Sequence, residues 1–295
     1  MINRLAIIGV GLIGGSLSLA LKKKHAVNEV VGYARSEATR QQALELGVID
    51  HAAASLAEAV KNADMVFVAV PMGAMSKVFD EMAEHLLPEA IITDGGSAKT
   101  QVVADARQAL GKHFSRFVPG HPIAGTEKSG PAAAFAELYQ QHRVVLTPVA
   151  DTAAAATARV KAMWQLVGAE VFEMEAEHHD TVLAATSHLP HILAFNLVGM
   201  LAEREDCDEV LRYAAGGFRD FSRIASSDAV MWRDICFGNR EAILGLLAQY
   251  HQGMTRIEEA IRDGDGDYLI EVFERAKKAR DTRFADPGLI DNSEV

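Results

Sequence analysis

Up to about residue 175 the chain alternates between two hydrophobic rhythms. Continuous apolar runs of strand length occur at 4–10 (RLAIIGV), 29–34 (EVVGYA), 63–71 (ADMVFVAVP), 89–96 (EAIITDGG) and 116–120 (RFVPG). Their lack of polar alternation predicts strands covered on both faces. Segments of helical period separate them: 12–24 (LIGGSLSLALKKK), 36–47 (SEATRQQALELG), 73–86 (GAMSKVFDEMAEHL) and 97–110 (SAKTQVVADARQAL). Ser36 suits the N-cap of the second helix and Gly47 its C′ position. Strand and helix in turn predict a parallel sheet with crossover helices. Two later strands are predicted at 142–149 and 169–174, around an Ala-rich helix at 152–167. The strand signal then stops. The expected organisation is an α/β domain over 1–172 and an all-α domain over 173–295.

In the helical half, residues 239–264 carry Ile243, Leu247, Tyr250, Met254, Ile257 and Ile261 as one apolar stripe. A helix this long with such a stripe must bury it, against a partner subunit or within the chain. The tail 284–295 is expected to fray.

Composition narrows the class. With 40 acidic against 29 basic side chains, the net charge of −11 disfavours sequence-independent nucleic-acid binding. Cys207 and Cys236 are too few and too far apart for a disulfide framework, which fits a reducing cytoplasm. Neither a signal peptide nor a membrane-spanning apolar stretch is evident, so a soluble cytoplasmic protein is expected.

The first strand runs into GVGLIG, a G-x-G-x-x-G match that opens a helix within a βαβ unit. Gly9 allows the tight turn, Gly11 lets the backbone approach a pyrophosphate, and Gly14 permits close helix–strand packing. Leu12 and Ile13 complete the loop, and Val70 and Pro71 end the 63–71 strand beside it. This predicts a Rossmann-type doubly wound sheet that binds NAD or NADP. An acid that would hold an NAD ribose is expected where Ala34 stands, and Arg35, Ser36 and Arg40 follow. Without that carboxylate a 2′-phosphate is not repelled, and Arg35 could pair with it; Arg35 could equally stack on adenine or face solvent. GGSAKT (95–100) lacks the full phosphate-loop spacing. Ser97 there is expected to cap the following helix, at the carboxyl end of a parallel strand where ligands of open sheets bind.

His121 follows the strand at 116–120, at the same sheet edge. Oxidising an alcohol needs a proton acceptor beside the hydride acceptor, and a neutral imidazole suits that task. In SHLPH, His188 and His191 are three apart and share roughly one helix face. They read as substrate contacts or as core histidines; His178 and His179 lie nearby, but no Cys or tight carboxylate cluster completes a metal-ligand set. The stretch 216–235 (GGFRDFSRIASSDAVMWRDI) holds Arg219, Arg223 and Arg233 among Asp220, Asp228 and Asp234. Its arginines suit a substrate carboxylate, or ion pairs with those aspartates. The acidic run at 263–274 lacks the glycine that a calcium loop requires, since Tyr268 stands there.

GVGLIGGSL, GGSAKT, HPIAGTEKSG, SHLPH and GGFRDFSRIASSDAVMWRDI occur together and in this order. The chain thereby resembles the prephenate/arogenate dehydrogenases of tyrosine biosynthesis over nearly its whole length. The resemblance implies a Rossmann domain followed by a helical dimerisation domain, and a cytoplasmic homodimer that oxidatively decarboxylates prephenate or arogenate. It implies that His121 takes the ring hydroxyl proton and that Ser97 orients both groups. It further implies that Arg223 binds a substrate carboxylate, that His191, His188, Trp232 and Gly216 line the pocket, and that Thr126 and Glu127 lie at its mouth. Ala34 departs from the acid common in the family. At this length no fused chorismate mutase or regulatory domain of the kinds found in relatives is expected. A β-hydroxyacid dehydrogenase is the nearest rival, but no lysine occurs between Lys161 and Lys277 to serve as its catalytic group. A nicotinamide sensor, the other rival, would need neither the base nor the anion-binding arginine.

Overall fold

Alternate residues of each central strand enter two different cores. Leu5 and Ile7 of β1 (Ile2–Ile8) face one core with Met65 and Phe67 of β4 (Met65–Val68), while Ala6, Ile8, Val66 and Val68 face the other. In this computed structural model, which describes residues 1–126 and 128–283, β2 (Val27–Tyr33), β3 (His51–Ala52), β5 (Ile91–Asp94) and β6 (Phe117–Val118) complete a parallel sheet of order β3-β2-β1-β4-β5-β6. Helices α1 (Leu12–Lys23), α2 (Glu37–Glu45), α3 (Leu56–Val60), α4 (Met75–Ala83) and α5 (Thr100–Leu110) make the connections. The order reverses between β1 and β4, the position at which doubly wound sheets open a ligand crevice. Glu127 and the tail from residue 284 lie outside the described residues.

The later strands do not extend this sheet. Pairing of β6 ends at Val118, because Pro119 has no N–H to offer the ladder. The chain turns there into β7 (Gly120–Ile123), antiparallel to β8 (Arg143–Leu146), which pairs in parallel with β9 (Glu170–Glu173). His121 therefore sits within a strand of a second, three-stranded sheet rather than in a loop past the first. Helix α6 (Ala154–Leu166) links β8 to β9 and buries Trp164 against Phe67 and Tyr139.

Among the described residues every regular element after Glu173 is helical. Helix α7 (Ala176–Leu183), a π turn (Ala184–His188) and α8 (Leu189–Ala202) run on without a break. The expectation of no membrane-spanning apolar stretch is corrected here: 176–202 is one helix, long and apolar enough by length and composition to cross a membrane. Its buried His179, Asp180 and His188 are hydrogen-bonded to other elements of the fold. Then come α9 (Cys207–Arg212), α10 (Gly216–Ser222), a 3₁₀ turn (Arg223–Ser226), α11 (Ala229–Gly238), α12 (Arg240–Asp263) and α13 (Gly266–Arg283). Two compact units divide between Ile243 and Leu244. On α12, Ile243 is buried, but Tyr250, Met254 and Ile261 of the stripe remain exposed.

Candidate active site

The first glycine of the loop after β1 is required by both conformation and space. Gly9 has φ +102°, and a Cβ there would lie 2.4 Å from the Ala69 carbonyl oxygen, so this glycine lets the ends of β1 and β4 meet. A Cβ on Gly14 would fall 2.2 Å from the Gly9 oxygen, so Gly14 seats α1 against the strand. Gly11 is different: a Cβ there meets nothing within 4 Å. Its bareness leaves open space before the first turn of α1, which has no side-chain cap and no acid of its own. Free N–H groups, the positive helix end and open space fit a pyrophosphate. Leu12 is buried, and the Ile13 carbonyl accepts a 2.5 Å hydrogen bond from the Tyr139 hydroxyl, fixing the loop's far side.

At the carboxyl end of β2, Ser36 caps α2 by accepting from Thr39 N. The Arg40 guanidinium donates to the Ala34 carbonyl at 2.5 Å and to that of Arg35 at 3.3 Å, and lies over the Tyr33 ring. Arg40 is thus held by backbone, whereas the Arg35 side chain is exposed and has no partner among the described residues. Val70 and Pro71 follow β4 and lead into a turn whose Gly73 N donates to Asp234 of α11 at 3.1 Å.

Asp94, at the end of β5, organises the next strand ends. Its carboxylate accepts from Gly96 N (2.7 Å), Gly120 N (3.0 Å) and the fully buried Lys99 ammonium (2.5 Å), which also donates to the Gly120 carbonyl (2.7 Å). Burial pushes the Lys99 pKa down, opposed by the charge and hydrogen bond of Asp94. Ser97 and His121 each come one residue after a glycine held by this carboxylate. Ser97 is not the helix cap expected of it. Helix α5 begins at Thr100, and its N-terminus is capped by Asp180, which accepts from Lys99 N (2.7 Å) and Thr100 N (2.9 Å). A cap from 80 residues away leaves the half-buried Ser97 hydroxyl without a partner among the described residues.

His121 is 8% exposed, and its Nδ1 lies 2.9 Å from His179 Nε2. His179 Nδ1 in turn lies 2.8 Å from Asp180 Oδ1. Burial holds the His121 pKa well below the ordinary histidine value, and His179, Lys99 and His188 act in the same direction. The imidazole is therefore neutral at pH 7 and able to accept a proton. His188 is buried, and its Nδ1 faces the Asn239 side-chain amide at 3.0 Å. Burial pushes its pKa down to about 4. His191 stacks on Trp232 with ring centres 3.9 Å apart and donates from Nδ1 to the Ser187 carbonyl. Burial also lowers its pKa, opposed by the hydrogen bond to Ser187 and aided by the charge of Arg223. The buried Trp232 indole N–H has no partner among the described residues.

Arg233 is engaged by Asp234 at 2.7 Å, and Asp228 caps α11. Arg223 and Arg219 are exposed and have no carboxylate partner among the described residues. Gly216 opens α10, exposed and with no neighbour that excludes a side chain. Thr126 is exposed, its hydroxyl accepting from Lys128 N. His179, Asp180, Asn239, Asp94 and Lys99 were not singled out from the sequence for these contacts. The EHHD stretch offered one signal, a histidine beside an aspartate, but not the partner across the fold.

Residues 17–173 match the family model "Prephenate dehydrogenase, nucleotide-binding domain", and 175–275 match "Prephenate dehydrogenase, dimerization domain". The chain belongs to the prephenate dehydrogenase family. It is 42% identical over 280 residues to a cyclohexadienyl dehydrogenase of Zymomonas mobilis, covering 94% of this chain and 95% of that one. A crystal structure of prephenate dehydrogenase from Aquifex aeolicus in complex with hydroxyphenyl propionate and NAD+ superposes with a TM-score of 0.87 at 35% identity, covering 95% of this chain and 97% of that one. A Synechocystis arogenate dehydrogenase superposes with a TM-score of 0.78 at 27% identity, covering 94% and 99%. The two family models meet between residues 173 and 175, where the strands of this prephenate dehydrogenase family member end.

Proposed function

We propose that this chain oxidatively decarboxylates a cyclohexadienol, prephenate or arogenate, to 4-hydroxyphenylpyruvate or tyrosine. The observation that carries the reading is a buried His121 in β7, next to the Gly120 that Asp94 holds at the carboxyl end of β5 in the dinucleotide-binding sheet. Names of the relatives, among them an arogenate dehydrogenase, support the substrate class. When bound, a nicotinamide dinucleotide supplies the hydride acceptor. Its pyrophosphate fits the Gly9–Gly14 loop and the bare N-terminus of α1.

His121 Nε2 takes the hydroxyl proton as the C4 hydride leaves. The Ser97 hydroxyl orients that oxygen. Loss of CO2 aromatises the ring, so the protein's main tasks are positioning and proton removal. Arg223, with no carboxylate partner among the described residues, binds a substrate carboxylate. His191 and the Trp232 N–H, which has no partner among the described residues, shape the pocket with His188 and Gly216, and Thr126 lines its mouth.

Both NAD and NADP are accepted in this reading, with Arg35 meeting the 2′-phosphate of the latter. The cofactor domain spans 1–172 and the substrate and dimerisation domain 173–295. Homodimerisation covers helical faces that expose large apolar groups, such as Tyr213 (79% exposed) and Phe237 (61%). The location is cytoplasmic, in keeping with unpaired Cys207 and Cys236. Initial rates with two substrates and two cofactors test the proposal. Reduction of nicotinamide with prephenate or arogenate is expected, and His121→Asn should lower kcat by roughly 10²–10⁴-fold while the substrate still binds. Arg35→Ala should weaken NADP more than NAD. Absence of reduction with either substrate, or normal turnover by His121→Asn, refutes the assignment.

A further inference from the structure

The contacts behind His121 determine which of its nitrogens carries the proton. Asp180 accepts from two backbone N–H groups of the α5 terminus, Lys99 N on Oδ1 and Thr100 N on Oδ2. Burial pushes this carboxyl up, but the hydrogen bonds from His179, Thr100 and Lys99 outweigh it and keep the group ionised. A carboxylate has only lone pairs to offer, so His179 Nδ1, 2.8 Å from Oδ1, must be the donor. A neutral imidazole has one N–H, so His179 Nε2 is an acceptor. It faces His121 Nδ1 at 2.9 Å, so that nitrogen must donate. The His121 proton is then on Nδ1, and Nε2 keeps its lone pair. The reverse order would set an imidazole lone pair against a carboxylate oxygen.

We propose that His179 and Asp180 are positioning residues that lock His121 in the tautomer with a bare Nε2 and steady the imidazolium formed when that nitrogen takes the substrate proton. In that step the substrate O–H bond breaks and an Nε2–H bond forms, while the Nδ1 proton stays on His121, bonded to His179. The same Asp180 carboxylate caps α5, whose N-cap residue Lys99 grips the Gly120 carbonyl with its side chain. One carboxylate thus fixes both the proton arrangement of the base and the helix that holds its strand. Neither His179 nor Asp180 needs to touch substrate for this.

The kinetic arm rests on the function proposed above; the spectroscopic arm does not. Imidazole ¹⁵N spectra of the full chain, with the His121 signals assigned by their loss in His121→Asn, should show Nδ1 protonated and Nε2 bare. His179→Phe keeps a ring but removes the acceptor, so His121 should shift toward the Nε2–H form. Its kcat should fall by about 10²-fold, between the cost of losing a supporting hydrogen bond and that of a reversed tautomer, with KM within about threefold. His179→Gln can still present an oxygen to the His121 Nδ1–H and should recover about tenfold or more of that loss. A wild-type His121 protonated at Nε2 overturns the proposal, even if His179→Phe does not fold. So do unchanged His121 shifts in His179→Phe, a KM that rises in step with the fall in kcat, or a Gln variant no better than Phe. Wild-type protein that shows the predicted tautomer yet oxidises neither prephenate nor arogenate refutes the function and leaves the relay standing.

Discussion

Acidification should destabilise this protein through His188 by an amount set by its burial. The side chain is 1% exposed, and its Nδ1 accepts from the Asn239 amide, which also donates to the Asp180 backbone carbonyl. Burial is the main cause that pushes its pKa from 6.5 to about 4; His179 and His191 add to this and Asp180 opposes it. The unfolded chain therefore takes up a proton near pH 6.5, and the folded chain resists it until about pH 4. Between these limits the unfolded state binds more protons, so stability falls as pH falls. The gap, at about 1.4 kcal/mol per pH unit, amounts to about 3 kcal/mol. That is a large part of a typical folding free energy of about 5–15 kcal/mol. Urea unfolding followed by tryptophan fluorescence measures it, because Trp164 and Trp232 both lie in the unit Met1–Ile243. His188→Asn keeps an acceptor opposite Asn239 and cannot titrate. Between pH 7.5 and 4 the variant should lose about 3 kcal/mol less than the wild type. Parallel losses would show that His188 is not a buried neutral group and would refute the reasoning.

Gly9→Ala should store about 1–3 kcal/mol of strain, from its positive φ and the contact with the Ala69 carbonyl, and should lower both Tm and NAD affinity; an unchanged calorimetric titration would contradict the loop geometry. Arg223→Ala should raise the KM for prephenate by about 10–100-fold, the worth of a charged hydrogen bond, with little change in kcat. An unchanged KM would assign the carboxylate to another residue. Lys99→Met leaves the buried Asp94 carboxylate without its cation and should cost about 3–5 kcal/mol in chemical unfolding; a loss below about 1 kcal/mol would mean that the pair does not hold β7 to β5.

Local sequence determined the parts of this protein whose physics is local. Apolar runs without alternation specify strands buried on both faces, and Leu5 and Ile7 against Ala6 and Ile8 show the two cores that they serve. Ser36 and Gly47 mark the ends of α2 because capping and positive φ act within a few residues. The glycine loop after β1 was legible for the same reason: turn, close approach and helix start are all encoded in six positions.

What the local pattern did not contain was which distant groups would meet. Asp180 displaced Ser97 as the cap of α5, since a buried carboxylate from another helix supplies two acceptors to orphan N–H groups. Pro119 ended one ladder, but only the packing of β8 shows that His121 continues in a second sheet. The chain of contacts from His121 through His179 to Asp180 joins residues 58 positions apart. Hydrogen bonds of this kind depend on distance in space, and no periodicity along the chain reports it. The order of the motifs pointed to the family; the contacts of His121 with His179 and of His179 with Asp180 came only with the tertiary structure.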